Sequence, residues 1–203
     1  SHELADIAAF EAVNNPVGPA DAPDSNPNAV LATRWGYVVA DAGGNDLLYV
    51  SHSGRVRKLA TFPTTTVGGV PNVQAVPTSV VRGPHGAYYV SQLTGGPFPE
   101  GGAAIWKVVP GHQPRVYAKG LTNVTDLAFG RHGRLYAVEI AEHGLLNGPI
   151  GAVVSIAPGG HSWHPIAEGL LAPYGIALRH HHAYVTTGSI LPGGGKVVRI
   201  PLR

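Results

Sequence analysis

Short apolar runs alternate with turns rich in glycine and proline along almost the whole chain. The runs contain mainly Val, Ile and Tyr, as in Tyr37–Asp41 and Leu47–Val50. Runs of this composition, bounded by turn residues, are typical of β-strands. A 3.6-residue apolar period is not sustained beyond the stretch Leu4–Val13. The pattern therefore predicts an all-β protein.

A block of four short strands recurs along the chain. Its second strand carries Val38, Tyr89, Tyr136 and Tyr184 at equivalent positions, so successive blocks are 51, 47 and 48 residues apart. Four strands in about 45–50 residues are typical of a β-propeller blade. We predict a single β-propeller domain over residues 1–203, or the C-terminal part of one, with repeats at about 27–75, 76–121, 122–170 and 171–203. A β-sandwich whose blocks are similar by accident is the alternative.

Closure of the ring is a separate question, because the fourth repeat ends after its third strand. We predict an N-terminal strand at residues 3–10 that supplies the fourth strand, closes a four-bladed ring and removes an exposed sheet edge. Alternatively, Leu4–Phe10 is the outer strand of a preceding blade, and the chain belongs to a larger propeller. The expected partner would then be the missing N-terminal part or a second copy of the chain.

Several polar motifs resemble those of the ScyD/ScyE family, and together they cover nearly all of the chain. They are Asp6–Pro16, Asp24–Asn28, Val39–Asn45, Val76–Ser79, Leu93–Pro99 and Thr122–Phe129. The resemblance implies a bacterial β-propeller that is usually exported, and hence a secreted, extracellular location. Family members usually carry additional N-terminal repeats, so the resemblance implies that this chain is a C-terminal portion. It implies no reaction and no catalytic residues.

Composition excludes several classes of partner and chemistry. With 14 Lys and Arg against 12 Asp and Glu, the net charge is +2, and the basic residues do not form the patch expected of a nucleic-acid-binding protein. The absence of cysteine excludes disulfides and thiol chemistry. No apolar run reaches the roughly 18 residues that a membrane-spanning helix needs.

Polar residues near the ends of strands predict a functional site on one face of the propeller. The loops that join second to third strands are long, at residues 92–102, 139–147 and 187–195, and long loops on a rigid frame commonly bind ligands. We expect the ligand-binding side chains to gather near the central channel: Asp41, Asn45, Gln92, Glu139 and His143. The alternative is that these side chains cap strand ends and bind loop amides.

A divalent cation is a candidate cofactor at the same place. The predicted ligands are Asp41, Asp126 and Glu139, because carboxylate oxygens suit Ca²⁺. Addition of His143 would suit Zn²⁺ or Mn²⁺.

Two functions are compatible with these residues. The first is a secreted binding or scaffold protein that holds a small molecule, a glycan or a protein on the face with the long loops. The alternative is a lactone hydrolase or lyase, in which a channel-bound cation polarises a carbonyl and Glu139, Asp126 or His143 moves the proton. Only analogy with other propellers favours the enzyme, and such analogy carries little weight.

Histidines are concentrated on the opposite face. Eight of the eleven fall in predicted hairpin turns, among them His132 and the run His180–His182. One interpretation is a surface that responds to pH or collects metal ions, since imidazole changes its charge between pH 5 and 8. The other is a set of solvent-exposed turn residues.

Overall fold

The computed structural model describes residues 2–14 and 24–202, and these form the predicted β-propeller blades. Three antiparallel sheets have four strands each, and a fourth has three. The strands of blade 1 are β1 (Pro27–Thr33), β2 (Gly36–Asp41), β3 (Asp46–Ser51) and β4 (Val56–Thr61). A hairpin of β5 (Thr65–Val67) and β6 (Val70–Val73) follows blade 1 and forms a small separate sheet.

The remaining blades repeat the order of strands from the inner to the outer edge. Blade 2 contains β7 (Pro77–Arg82), β8 (Tyr88–Gln92), β9 (Ala103–Val108) and β10 (Arg115–Leu121). Blade 3 contains β11 (Val124–Phe129), β12 (Leu135–Glu139), β13 (Ile150–Ile156) and β14 (Trp163–Leu171). Blade 4 contains β15 (Ile176–Arg179), β16 (His182–Thr187) and β17 (Lys196–Pro201).

The four positions used to align the repeats occupy matching places in the structure. Val38, Tyr89, Tyr136 and Tyr184 all lie on the second strand of their blade. Val38 packs in the core between blades 1 and 2, and Tyr89 packs in the core between blades 2 and 3. The neighbouring residues Val90 and Val185 pack towards the preceding blade. Alternation along the second strand therefore buries both sheet faces, one against each neighbouring blade.

Hydrogen bonds between innermost strands fasten one blade to the next. The Thr78 hydroxyl donates to the carbonyl oxygen of Val124 at 2.8 Å, and the Thr125 hydroxyl donates to that of Tyr174 at 2.7 Å. The innermost strands contact each other in the order β1, β7, β11 and β15, with no comparable packing between β15 and β1 among the described residues. The four blades therefore form an open arc.

The predicted N-terminal strand at 3–10 is wrong, because helix α1 (Ile7–Asn14) forms there instead. Its first turn is capped by Asp6, whose Oδ1 accepts a hydrogen bond from the backbone N–H of Ala9 at 2.9 Å. Ile7 and Phe10, three residues apart on one side of the helix, pack against Val39, Leu48 and Val50 of blade 1. The N-terminal segment therefore covers the free face of blade 1 and does not complete blade 4.

The free face of blade 4 lacks such a cover among the described residues. Tyr184 is half-buried there, and Val197 is 68% exposed. Whether this face associates with a second copy or with a further N-terminal part stays a prediction, which a mass measurement in solution tests. Asn15 and Pro16 of the first family-like motif lie outside the described residues.

Candidate functional site

Glu139 and His143 come together in a pocket on the face with the long loops, between blades 2 and 3. This loop-face pocket has a volume of about 210 Å³, and its functional side chains are Glu100, Glu139, Glu142, His143, Trp163 and Glu168. Glu139 ends β12, whereas Glu100 and His143 lie in the loops after β8 and β12. Four carboxyl groups and one imidazole give the pocket an acidic lining.

Burial controls the chemistry of Glu139. Its side chain is only 4% exposed, and its Oε1 accepts a hydrogen bond from the backbone N–H of Thr122 at 2.6 Å. Desolvation raises the pKa of Glu139 to about 7, assisted by the charges of Glu142 and Glu100 and opposed by the Thr122 hydrogen bond. A carboxyl group with a pKa near neutrality can both take up and release a proton at physiological pH.

The rim of the loop-face pocket is held by contacts between the two loops. His143 Nδ1 lies 3.2 Å from Glu100 Oε2, and both side chains are about two-thirds exposed, at 66% and 63%. Asn123 fixes the base of the His143 loop, because its Oδ1 accepts from the N–H of Leu145 at 3.0 Å and its Nδ2 donates to the carbonyl of Leu93 at 2.7 Å. The loops are therefore connected below an exposed rim.

The predicted residues of blade 1 have a structural role. Asp41 is fully buried, and its carboxylate accepts hydrogen bonds from the hydroxyl of Ser25 at 2.8 Å and the N–H of Asn26 at 2.6 Å. The N–H of Gly43 also donates to it at 3.0 Å. Asn45 Oδ1 accepts from the N–H of Val76 at 2.9 Å. These contacts are the capping alternative that the sequence left open.

Gln92 and Asp126 lie at two further places. Gln92 is buried and accepts a hydrogen bond from the indole Nε1 of Trp106 at 2.9 Å. Asp126 joins three blades, since it accepts from the hydroxyl of Ser79 at 2.7 Å and from the N–H of Ile176 at 2.8 Å. Gln92 and Asp126 therefore each bind partners of their own, and neither lines the loop-face pocket.

The predicted metal ligands do not form one group. Asp41, Asp126 and Glu139 each bind a different set of backbone and hydroxyl partners. Within residues 2–14 and 24–202, no group of three or more His, Cys, Asp or Glu is arranged to hold a metal ion. In the same ranges, no helix is long and apolar enough to cross a membrane.

A buried pair of carboxyl groups was missed from the sequence: Glu11 on α1 and Asp46 at the start of β3. Both residues are fully buried, and no described donor other than the pair itself reaches their oxygens. A Cβ on Gly44 would lie 2.8 Å from Glu11 Oε2 and 3.4 Å from Asp46 Oδ1, so the glycine makes room for the pair.

Burial changes the proton affinity of both members of this pair. Desolvation, followed by repulsion from Glu11 and Asp41, raises the pKa of Asp46 to about 8. Desolvation and the charge of Asp41 raise the pKa of Glu11 as well. The two carboxyls lie within hydrogen-bonding reach, and one must be protonated to donate to the other. Below a pH of about 8 we therefore expect the pair to hold a proton, which would join α1 to blade 1 through a hydrogen bond.

Glu100, Glu142 and Glu168 were also missed as members of the loop-face pocket. Glu142 lies three residues after Glu139, and Glu100 lies in one of the long loops, so both carried a weak signal. Glu168 lies on the outer strand β14, and only the packing of blades 2 and 3 brings it to the pocket.

The comparisons with known proteins show the fold. No family model and no curated protein matches the chain. A catalytically inactive variant of virginiamycin B lyase from Staphylococcus aureus, solved with quinupristin, is 14% identical with a TM-score of 0.63, over 89% of this chain and 57% of that one. A gluconolactonase from Xanthomonas campestris is 17% identical with a TM-score of 0.60, over 82% and 54%.

A chain of a nidogen/laminin complex is also similar, at 15% identity and a TM-score of 0.57, over 87% of this chain and 65% of that one. The chain thus spans little more than half the length of the lyase and of the lactonase. Because a lyase, a lactonase and a protein complex share the architecture, these similarities establish a β-propeller and leave the activity to be argued from the site.

Proposed function

We propose that this protein is a β-propeller that binds a small, hydroxyl-rich ligand bearing a positive charge in the loop-face pocket. The proposal depends on one observation, the four carboxyl groups Glu100, Glu139, Glu142 and Glu168 in a pocket of about 210 Å³. Carboxylates attract cationic groups and accept hydrogen bonds from hydroxyls. The exposed indole of Trp163, 38% accessible, offers an apolar surface for the body of the ligand.

A series of sugars that differ in charge tests this proposal. We expect N-methylglucamine, a sugar derivative whose amine stays protonated at pH 8, to bind most tightly, glucose less tightly and gluconate least, measured by calorimetry at low salt and pH 8. Glu139→Gln removes the buried charge but keeps an oxygen that can accept from Thr122, and we expect it to weaken N-methylglucamine binding about tenfold. Glu3→Gln is the matched control, because Glu3 is exposed and lies outside the pocket. Equal binding of all three sugars would contradict the proposal.

A lactone hydrolase or lyase is the second candidate, and the near-neutral pKa of Glu139 beside His143 supports it. In hydrolysis, ionised Glu139 would take a proton from water while the water oxygen bonds to the lactone carbonyl carbon. The ring C–O bond would then break, and protonated Glu139 or His143 would return the proton to the leaving oxygen. Asp126 is not part of this mechanism, because its carboxylate joins blades 2, 3 and 4.

Proton release during hydrolysis of gluconolactone tests the enzyme directly. The reaction is followed with native protein, with chelator-treated protein, and after addition of Ca²⁺, Mn²⁺ or Zn²⁺. Turnover that Glu139→Gln abolishes and Glu3→Gln preserves would support the enzyme. Recovery only with a cation would support a bound metal, and absence of turnover in every sample would leave the binding function.

Export and family membership remain proposals that the sequence motifs support. We propose a bacterial, secreted protein of the ScyD/ScyE type, on the strength of motifs such as Asp24–Asn28 and Val39–Asn45. Detection of the protein in culture supernatant, compared with a cytoplasmic marker, tests the location.

A further inference from the structure

A basic groove lies between blades 3 and 4, on the face opposite the loop-face pocket. It consists of two adjoining cavities of about 460 and 430 Å³, which share Arg134, Tyr136 and Leu202. Its basic side chains are Arg131, His132, Arg134, His164, His180 and His181. No Asp or Glu lines either cavity among the described residues.

Five of these basic side chains lie in the hairpin turns between the first and second strands of the two blades, and His164 lies on the outer strand β14. His132 in the turn between β11 and β12 has φ 56°, and His180 in the turn between β15 and β16 has φ 55°. The backbone of both residues thus adopts the left-handed conformation, which residues other than glycine seldom adopt. Repetition of this turn conformation in neighbouring blades brings two basic turns to the same groove.

The floor of the groove is apolar and shaped by a glycine. Tyr136 is 5% exposed and lies beside Leu178 and Leu202. A Cβ on Gly130 would lie 2.7 Å from Cε2 of the Tyr136 ring, so glycine allows the ring to lie this close to the turn. The groove therefore combines an apolar floor with a positively charged rim.

Arg134 is the side chain that indicates that the groove binds an anion. It is half-buried, and of its five N–H donors one is used within the described part of the protein, by the hydroxyl of Ser155 at 3.1 Å. No described carboxylate forms an ion pair with it. A partly desolvated guanidinium with free donors is suited to a planar or tetrahedral oxyanion, which it can bind through two hydrogen bonds.

We propose that the basic groove binds a small organic anion, with its carboxylate or phosphate on Arg134 and its apolar body against Tyr136 and Leu178. The size of the cavities suits a small molecule, since ligand pockets commonly measure about 300–1,000 Å³. A nucleic acid is disfavoured, because the net charge is only +2 and the groove offers two arginines. This site and the loop-face pocket have opposite charge and share only Pro165 among their lining residues, so each can be tested by itself.

Phenyl phosphate is a suitable probe and phenol is its neutral counterpart. We expect calorimetry at low salt to detect phenyl phosphate binding and no comparable binding of phenol, because the oxyanion supplies the affinity. Proton NMR should show shifts of the imidazole signals of His132, His180 and His181. Absence of heat and of shifts up to about 10 mM phenyl phosphate, or equal binding of phenol, would overturn the proposal.

Arg134→Gln tests the role of the guanidinium, with Arg82→Gln as its matched control. Arg82 ends β7 in blade 2 and lies outside the groove. Arg134→Gln should weaken phenyl phosphate binding at least about tenfold, whereas Arg82→Gln should change it less than about twofold. Equal losses in both variants would refute the assignment. If Arg134→Gln does not fold, two other results decide whether the groove binds phenyl phosphate: the affinity of Arg131→Gln, which should be weakened, and the imidazole NMR shifts of the native protein. If long polyphosphate binds and phenyl phosphate does not, the groove is a surface for polyanions and not a small-molecule site.

Discussion

The buried pair of Glu11 and Asp46 makes the stability of the protein depend on pH in an unusual direction. The pKa of Asp46 is raised from 3.8 to about 8 on folding, so between these values the folded state holds a proton that the unfolded state has released. Stability from this proton is fully present below pH 3.8, and it is lost as the pH rises towards 8. We therefore expect the free energy of unfolding to fall as the pH rises from 5 to 8.

The size of this effect follows from proton linkage. A difference of one bound proton changes the free energy of unfolding by about 1.4 kcal/mol per pH unit, so pH 5 to 8 spans about 4 kcal/mol. That is a large part of the total stability of about 5–15 kcal/mol that proteins of this kind have. Glu139, with a pKa of about 7, adds to the slope at lower pH. Between pH 7 and 8 the free energy of unfolding falls by about 1 kcal/mol, and most of this change comes from Asp46.

Asp46→Asn is the variant that isolates this proton. Asn keeps the shape of the side chain, cannot ionise, and its amide can donate to Glu11. Urea unfolding at pH 5, 6, 7, 8 and 9 should therefore give a flatter profile for the variant, and a variant more stable than the native protein at pH 8–9. Glu3→Gln, at an exposed position near α1, should keep the native profile. A native stability that is constant or rises from pH 7 to 8, or a variant with the native slope, would refute the reasoning.

Three further predictions concern Asp126, Gly151 and Glu139. Asp126→Ala removes the acceptor for Ser79 and Ile176, and urea unfolding should show a loss of about 3–6 kcal/mol, since each of these two bonds to a charged group contributes about 1.5–3 kcal/mol. In Gly151→Ala the new Cβ would lie 1.9 Å from the carbonyl oxygen of Glu139, so the melting temperature should fall by several degrees or more. Gly195→Ala is the control, because no atom lies within 4 Å of its Cβ, and it should leave the melting temperature unchanged. Because the pKa of Glu139 is raised to about 7, N-methylglucamine, whose amine is charged at both values, should bind more weakly at pH 6 than at pH 8 by calorimetry, and an unchanged affinity would show that this carboxyl does not contact the ligand.

The blades could be predicted from the sequence because their signals are local. Short runs rich in Tyr and Val in β2, β8, β12 and β16 and the turns that bound them occur within a few residues, and the repeat supplies the same signal four times. The strand predicted at residues 3–10 is wrong although Leu4–Val13 is the one stretch with a 3.6-residue apolar period. The Asp6 cap and the packing of Ile7 and Phe10 on blade 1 stabilise the helix Ile7–Asn14 there.

The sites could be predicted only in part, because they depend on contacts between distant residues. Glu139 and His143 are four residues apart and were expected to act together, and both line the loop-face pocket. Glu11 and Asp46 are separated by 35 residues, and the sequence did not indicate that α1 would place one carboxyl beside the other. Asp126 was assigned to a ligand because a polar residue on an innermost strand can face the channel, but the neighbouring strands supply donors that use its oxygens.

Both proposed binding sites border blade 3, so the interfaces of this blade determine their shapes. The loop-face pocket lies between blades 2 and 3, and the basic groove lies between blades 3 and 4. Asp126 fastens β11 to Ser79 of blade 2 and to Ile176 of blade 4 through one carboxylate. A change at Asp126 therefore alters the spacing of both interfaces at once, and both sites should loosen together although neither contains the residue. Since each site requires side chains from two blades, the hydrogen bonds at the innermost strands position the ligand-binding groups as directly as the loops that carry them.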